Sequence, residues 1–141
     1  MPEIPARLSI LVLDDEPIML RFYCNVLPMH SVRTANTPAA ALELLAQETP
    51  DLMIVDHDLK ADITGPDFCI QNFGKAIYLL TSSHYGDPRK AAEDLERTGA
   101  LGTISKPWSS QELQDKIAEI VASNDYRIMY AALVAPKRQQ A

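Results

Sequence analysis

The chain has too few residues of several types to belong to some common protein classes. It contains only two cysteines, Cys24 and Cys69, and their spacing is not that of metal ligands or of a disulfide framework. Both fall in apolar helical patterns, which predicts two small buried side chains in a reducing compartment. Basic residues are also few, since 13 Lys and Arg stand against 19 Asp and Glu, giving a net charge of −6. Such a surface repels phosphate backbones, so direct nucleic-acid binding is not expected.

Long hydrophobic stretches are missing as well. No apolar run approaches the roughly 20 residues that a membrane-spanning helix requires. The first residues show no basic segment followed by a hydrophobic one. We therefore expect a cytoplasmic protein without membrane contact. A length of 141 residues suits one domain, which can bury enough surface to fold without a metal or a disulfide.

Short runs rich in Leu, Ile and Val alternate with helical patterns along the chain. Residues 8–13, 52–55, 76–80 and 101–105 have the length of buried strands, and the more polar run 31–35 suits the edge of a sheet. Five strands separated by helices indicate a doubly wound α/β fold, in which helices cover both faces of a parallel sheet. We predict the flavodoxin-like strand order 2-1-3-4-5.

Proline and capping residues mark where helices begin. Pro17 suits the first turn of a helix, and the pairs Thr37-Pro38 and Asp87-Pro88 each combine a capping side chain with a first-turn proline. Gly99 is typical of a helix end. Ser109 and Glu112 form a capping box ahead of the clearest helical pattern in the chain.

Apolar residues at helical spacing are predicted to face the core. In the first helix they form one stripe, made of Ile18, Met19, Phe22, Tyr23, Val26 and Leu27. In the later helices they are Leu42 and Leu45, then Ala92 and Leu95, then Leu113, Ile117, Ile120 and Val121.

We assign residues 1–123 to the α/β domain and residues 124–141 to a C-terminal extension. An apolar stripe in the extension predicts a further helix, packed on the domain or against a second copy in a homodimer. Residues 136–140 are predicted to be a polar, fraying end. The stripe consists of Tyr126, Met129, Tyr130, Leu133 and Val134.

Polar side chains follow the predicted strands at the points where they end. Asp14 and Asp15 follow the first strand, Asp56 the third, Thr81 the fourth and Lys106 the fifth. Because the carboxyl ends of parallel strands share one edge of the sheet, we expect these residues to converge there. Three close carboxylates repel one another, and a divalent cation with oxygen ligands, Mg²⁺ above all, relieves that repulsion. The cation, the ammonium group and the hydroxyl together suit a phosphoryl group.

The same residues resemble the motifs of the receiver domains of bacterial two-component response regulators. The resemblance covers roughly residues 8–123. Its matching positions, in chain order, are Asp14-Asp15, Asp56, Gly65, Thr81 and Lys106-Pro107.

The resemblance implies a function and a role for each matching residue. Asp56 would accept a phosphoryl group from a sensor histidine kinase or a histidine phosphotransfer protein, and the domain would then signal by docking to a downstream protein. Asp14, Asp15, Asp56 and the backbone carbonyl of Asp58 would hold Mg²⁺. Lys106 would pair with the phosphoryl oxygens, Thr81 would move to hydrogen-bond one of them, and the Lys106-Pro107 bond would be cis.

The sequence departs from the family pattern at two positions. Family members usually carry Tyr or Phe three residues before the lysine, where this chain has Thr103, and many carry proline where it has Lys60. The usual aromatic switch is therefore missing. Tyr85 and Trp108 lie near the same edge of the sheet and are candidates to replace it.

Simpler and competing interpretations remain beside this one. Asp14 and Asp15 also suit helix capping before Pro17. The segment from Val55 to Leu59 resembles the nucleophile motif of haloacid-dehalogenase-like phosphatases, in which the aspartate two residues later acts as acid and base. In those enzymes, however, the acidic metal pair follows this motif, whereas here it precedes it. A third hypothesis is a receiver-like binding module that signals without phosphorylation.

Overall fold

A computed structural model describes residues 2–139 of the chain. Its five strands form one parallel sheet in the order β2-β1-β3-β4-β5, which confirms the predicted fold and strand order. The fourth strand begins at Tyr78 rather than at the predicted residue 76. The strands are β1 (Ser9–Leu13), β2 (Ser31–Ala35), β3 (Leu52–Asp56), β4 (Tyr78–Ser82) and β5 (Gly102–Ser105).

Each strand is followed by a helix, and the caps lie where the sequence places them. Thr37 and Asp87 accept hydrogen bonds from backbone N–H groups of the helices they open. Ser109 and Glu112 form the predicted capping box, and Gly99 ends its helix with a φ of 72°, which favours glycine. The five helices between and after the strands are α1 (Pro17–Val26), α2 (Pro38–Gln47), α3 (Gly65–Gln71), α4 (Pro88–Thr98) and α5 (Ser110–Ala122).

The sheet separates two hydrophobic cores. Side chains alternate along a strand, so Ile10 and Val12 of β1 join one core while Leu11 and Leu13 join the other. Helices α1 and α5 cover the first core, and α2, α3 and α4 cover the second. Burial on both faces explains why the strands consist of nearly continuous apolar runs.

Several predicted core positions on the helices are wrong. The side chains of Ile18 and Phe22 are 78% and 40% exposed, whereas Tyr23 is fully buried. Each residue turns about 100° around a helix, so Phe22 lies about 100° and Ile18 about 140° from Tyr23, outside the arc that faces the sheet. The same rotation explains why Cys24, one position after Tyr23, is exposed. Leu42 and Ala92 are exposed too, while Cys69 is buried as predicted.

The segment after Ser123 is helical and packs against the first core. It comprises α6 (Asn124–Met129), a π-helical turn (Tyr130–Val134) and α7 (Ala135–Arg138). The prediction that the chain frays from residue 136 is wrong for the residues described, while residues 140 and 141 lie outside them. Among residues 2–139, no helix has the length and apolar content to cross a membrane.

The reason for the ordered end is a buried carboxylate, Asp51, at the amino end of β3. Arg138 places Nη1 2.9 Å from Asp51 Oδ1 and donates from Nη2 to the carbonyl of Thr49 at 3.1 Å. The Tyr126 hydroxyl donates to the backbone carbonyl of Asp51 at 2.8 Å. The Ser9 N–H donates to Oδ2 of Asp51 at 2.7 Å. These contacts fasten the C-terminal helices to the start of the sheet.

Replacement of Arg138 by alanine is expected to lower the free energy of unfolding by about 1–3 kcal/mol, because the buried Asp51 side chain loses its cationic partner. Urea unfolding followed by circular dichroism measures the loss. Lys137→Ala, on the exposed neighbour, is the control and should leave stability within about 0.5 kcal/mol of wild type. Equal urea midpoints for the wild type, Arg138→Ala and Lys137→Ala would show that the Arg138–Asp51 contact does not stabilise the fold.

Candidate functional site

The register of the sheet brings four polar side chains to one point on its carboxyl edge. Asp56 pairs with Thr81 across β3 and β4. Asp14 comes one residue after Leu13, which pairs with Val55. Lys106 follows Ser105, the last residue of β5 to pair with β4. The alternation of side chains then points Asp14, Asp56, Thr81 and Lys106 to the same face, the one covered by α1 and α5.

Lys106 joins two of these carboxylates directly. Its Nζ lies 3.1 Å from Asp14 Oδ2 and 3.1 Å from Asp56 Oδ1, which links residues 92 and 50 positions apart in the sequence. Asp14 is fully buried and Asp56 nearly so. The second oxygen of Asp14 accepts the N–H of Glu16 at 2.9 Å, so this carboxylate also fixes the turn that leads into α1. The capping interpretation is wrong, because α1 has Glu16 at its N-cap and no side-chain cap hydrogen bond.

Asp15 completes a cluster of three carboxylates. Asp14, Asp15 and Asp56 each offer one oxygen, and these atoms lie within 4.8 Å of one another. Three carboxylates face the single ammonium group of Lys106, so negative charge is in excess at this point. Oxygen-only donors with excess negative charge fit a small divalent cation such as Mg²⁺. The residues present are therefore suited to the metal that the sequence predicts.

The burial of the cluster changes its acid–base properties. Burial raises the pKa of Asp56 to about 6, because the Lys106 charge only partly offsets it and the Asp14 and Asp15 carboxylates add to it. Burial also works to lower the pKa of Lys106, but the charges of Asp56 and Asp14 outweigh it and raise that pKa. Lys106 therefore stays protonated, and Asp56 changes charge near pH 6.

Gly65 allows α3 to begin directly against the site. Its N–H donates to the carbonyl of His57 at 2.8 Å. A Cβ added at Gly65 would overlap the carbonyl oxygen of Asp56. The match of Gly65 to the family pattern thus has a steric cause, which is the close approach of the two backbones.

Thr81, Asp58 and Thr103 occupy different surroundings. Thr81 is fully buried, and its hydroxyl has no hydrogen-bond partner among residues 2–139. The Asp58 side chain is exposed, and its Oδ1 lies 2.9 Å from Nδ1 of His57, so the metal role of its backbone carbonyl stays a prediction. Thr103 pairs with Leu80 and therefore points to the opposite face of the sheet from Thr81. The Lys106-Pro107 bond is cis, as the resemblance implies.

A second polar cluster lies beside the site and was missed by the sequence reasoning. Asp94 of α4 is fully buried and accepts the Tyr85 hydroxyl at 2.7 Å. Lys90 Nζ and His57 Nε2 lie 3.6 Å and 3.7 Å from its carboxylate. In the sequence, Lys90 and Asp94 have the spacing of a surface ion pair, so no pattern signals a buried carboxylate. Tyr85, a candidate replacement for the aromatic switch, is thus bonded to α4.

Trp108, the other candidate, packs against α1. Its ring centroid lies 5.1 Å from that of Tyr23 and 5.5 Å from that of Phe22. This arrangement holds the segment after Lys106 against the first helix. These contacts make Trp108 a packing residue.

Comparisons with known proteins agree with this architecture. Among solved structures, chemotaxis response regulator CheY4 of Vibrio cholerae is 20% identical with a TM-score of 0.73, covering 81% of this chain and 98% of its own. The signal receiver domain of an HD domain-containing protein from Pseudomonas fluorescens Pf-5 is 20% identical with a TM-score of 0.74, covering 100% and 98%. NtrX from Brucella abortus is 22% identical with a TM-score of 0.75, covering 86% of this chain and 28% of its own.

At these identities the solved structures establish the fold alone. A search of curated proteins finds no match to the sequence. The family model of the response regulator receiver domain matches residues 10–118, a span that includes Asp14, Asp56, Thr81 and Lys106. Both the sheet order and this match agree with the resemblance seen in the sequence. The chain belongs to the receiver domain family of response regulators.

Proposed function

We propose that this receiver domain accepts a phosphoryl group on Asp56 from the phosphohistidine of a sensor histidine kinase or a histidine phosphotransfer protein. One observation carries the proposal: Lys106 Nζ lies 3.1 Å from both Asp14 and Asp56, within a cluster of three carboxylates. That arrangement supplies a nucleophile, a fixed cation and a set of metal ligands at one point.

Asp56 has the protonation state that a nucleophile needs. With a pKa of about 6, its carboxylate is mostly ionised at pH 7, while Lys106 beside it is protonated. In the transfer, a bond forms from an Asp56 oxygen to phosphorus as the P–N bond to the donor histidine breaks. The electron pair of the broken bond stays on the imidazole nitrogen. The product is an acyl phosphate whose new oxygens lie next to the Lys106 ammonium group.

Asp14, Asp15 and Asp56, with the backbone carbonyl of Asp58, are the proposed ligands of Mg²⁺. When bound, the cation neutralises charge between the anionic carboxylate and the anionic phosphoryl donor. Asp14 is held for this role from both sides, by Lys106 and by the Glu16 N–H. Thr81, one strand further along, is the proposed hydroxyl donor to a phosphoryl oxygen.

We further propose that the phosphorylated domain acts by docking to another protein. Membership of the receiver family favours this function over the phosphatase alternative. A binding module that signals without phosphorylation would differ from this phosphoacceptor in one measurable way: it would take no phosphoryl label.

The Asp56→Asn variant should take no phosphoryl label, because an amide is a poor nucleophile in place of the carboxylate. Incubation with acetyl phosphate and Mg²⁺, followed by mass spectrometry of the intact chain, measures labelling. Asp62→Asn, at an exposed loop position, is the matched control and should label like wild type. Wild-type labelling of Asp56→Asn would refute the nucleophile, and failure of the wild-type chain to label would favour the binding module.

Removal of one carboxylate should weaken Mg²⁺ binding. We expect Asp15→Ala to lower the affinity by at least about tenfold, since the cluster loses one ligand and one negative charge. Isothermal titration calorimetry gives the dissociation constants, with Asp62→Ala as the charge-matched control. An unchanged affinity in Asp15→Ala would remove Asp15 from the metal site.

The raised pKa of Asp56 predicts how Mg²⁺ affinity depends on pH. Below pH 6 the carboxyl group holds a proton that the metal has to displace, so affinity should fall as the pH drops through about 6. The limiting slope is about tenfold per pH unit, and affinity should level off above about pH 7. The Asp56→Asn variant should bind more weakly and lose this dependence. Wild-type affinities that match at pH 5.5 and 7.5 would contradict the assignment.

A further inference from the structure

Two buried hydroxyl groups next to the site have no hydrogen-bond partner. Tyr23 of α1 and Thr81 at the end of β4 are both fully buried. Neither Tyr23 Oη nor Thr81 Oγ1 makes a hydrogen bond of normal geometry within residues 2–139. Buried hydroxyls are nearly always paired, so these two groups call for an explanation.

Tyr23 lies in the core between α1 and the sheet face that carries Asp14, Asp56 and Thr81, and these three residues act on its hydroxyl. Burial raises the pKa of Tyr23 far above its usual range, the Asp14 and Asp56 charges raise it further, and interaction with the Thr81 hydroxyl lowers it. The phenol therefore keeps its proton and serves only as a neutral hydroxyl. Trp108 packs on the Tyr23 ring with centroids 5.1 Å apart, which fixes the ring beneath the segment that carries Lys106.

The two hydroxyls have complementary hydrogen-bonding capacity. Thr81 has one proton and can accept two hydrogen bonds. When that proton goes to a phosphoryl oxygen on Asp56, the lone pairs of Thr81 Oγ1 still lack a donor. Tyr23 is the neighbouring hydroxyl that can supply one. Because hydrogen bonds in a chain polarise one another, a proton donated to Thr81 Oγ1 strengthens the bond that Thr81 donates.

We propose that Tyr23 is a positioning residue for phosphoryl transfer: its hydroxyl donates to Thr81 Oγ1 and thereby directs the Thr81 proton to a phosphoryl oxygen on Asp56. The inference rests on the proposed phosphoacceptor function and extends it to a helix residue that does not touch the phosphoryl group. Tyr23 thus connects the core beneath α1 to the reacting group.

Tyr23→Phe removes the hydroxyl and keeps the ring. We expect the rate of labelling by acetyl phosphate at saturating Mg²⁺ to fall about fivefold, the equivalent of one neutral hydrogen bond, with the Mg²⁺ affinity unchanged. The matched control is Tyr126→Phe, which removes an equally buried hydroxyl that bonds to Asp51 at the opposite edge of the sheet. It should lower the melting temperature without changing the labelling rate.

A double-mutant cycle separates positioning from general packing. Because the proposed effect passes through Thr81, Tyr23→Phe should change the labelling rate less than twofold in the Thr81→Ala background. The same fivefold loss in both backgrounds, or no loss in Tyr23→Phe alone, overturns the proposal. If wild type labels and Tyr23→Phe matches it, only this inference fails. If wild type takes no label, the phosphoacceptor function fails and the positioning role fails with it.

Discussion

Repulsion among three carboxylates at one edge of the sheet is the constraint on which the rest of the structure depends. The sheet holds Asp14, Asp15 and Asp56 together, and Lys106 offsets part of their repulsion by bridging two of them. The bridge is incomplete, since one ammonium group faces three acidic groups. The remaining negative charge makes the site suitable for a divalent cation. Burial of the Asp56 side chain raises its pKa.

Much of the fold and site could be predicted because short apolar runs mark the positions of the strands. Once five strands alternate with helices, the parallel order places Asp14, Asp56, Thr81 and Lys106 at one edge, as the structure shows. Capping signals were equally informative, because an N-cap depends on a few adjacent residues. The caps at Thr37, Asp87 and Ser109 lie where the sequence predicts them.

Features that depend on distant partners could not be predicted in the same way. Asp94 has the sequence spacing of a surface ion pair, and only the packing of α4 against Tyr85 and His57 buries it. Arg138 lies in the polar end of the sequence, and its partner Asp51 lies far before it in the chain. Tyr23 was predicted as a core residue, and it is one, but the surroundings of its hydroxyl depend on where β4 ends.

The Lys106 bridge also has a mechanical consequence. It ties the residue after β1 to the segment after β5, so the lysine links the carboxyl ends of two strands that β3 and β4 separate. The phosphoryl group proposed for Asp56 would compete with Asp14 for the three N–H protons of Lys106. Phosphorylation at that position would thereby weaken the connection between the carboxyl ends of β1 and β5, so the charge on one aspartate would control how firmly two strands that are not neighbours are held together.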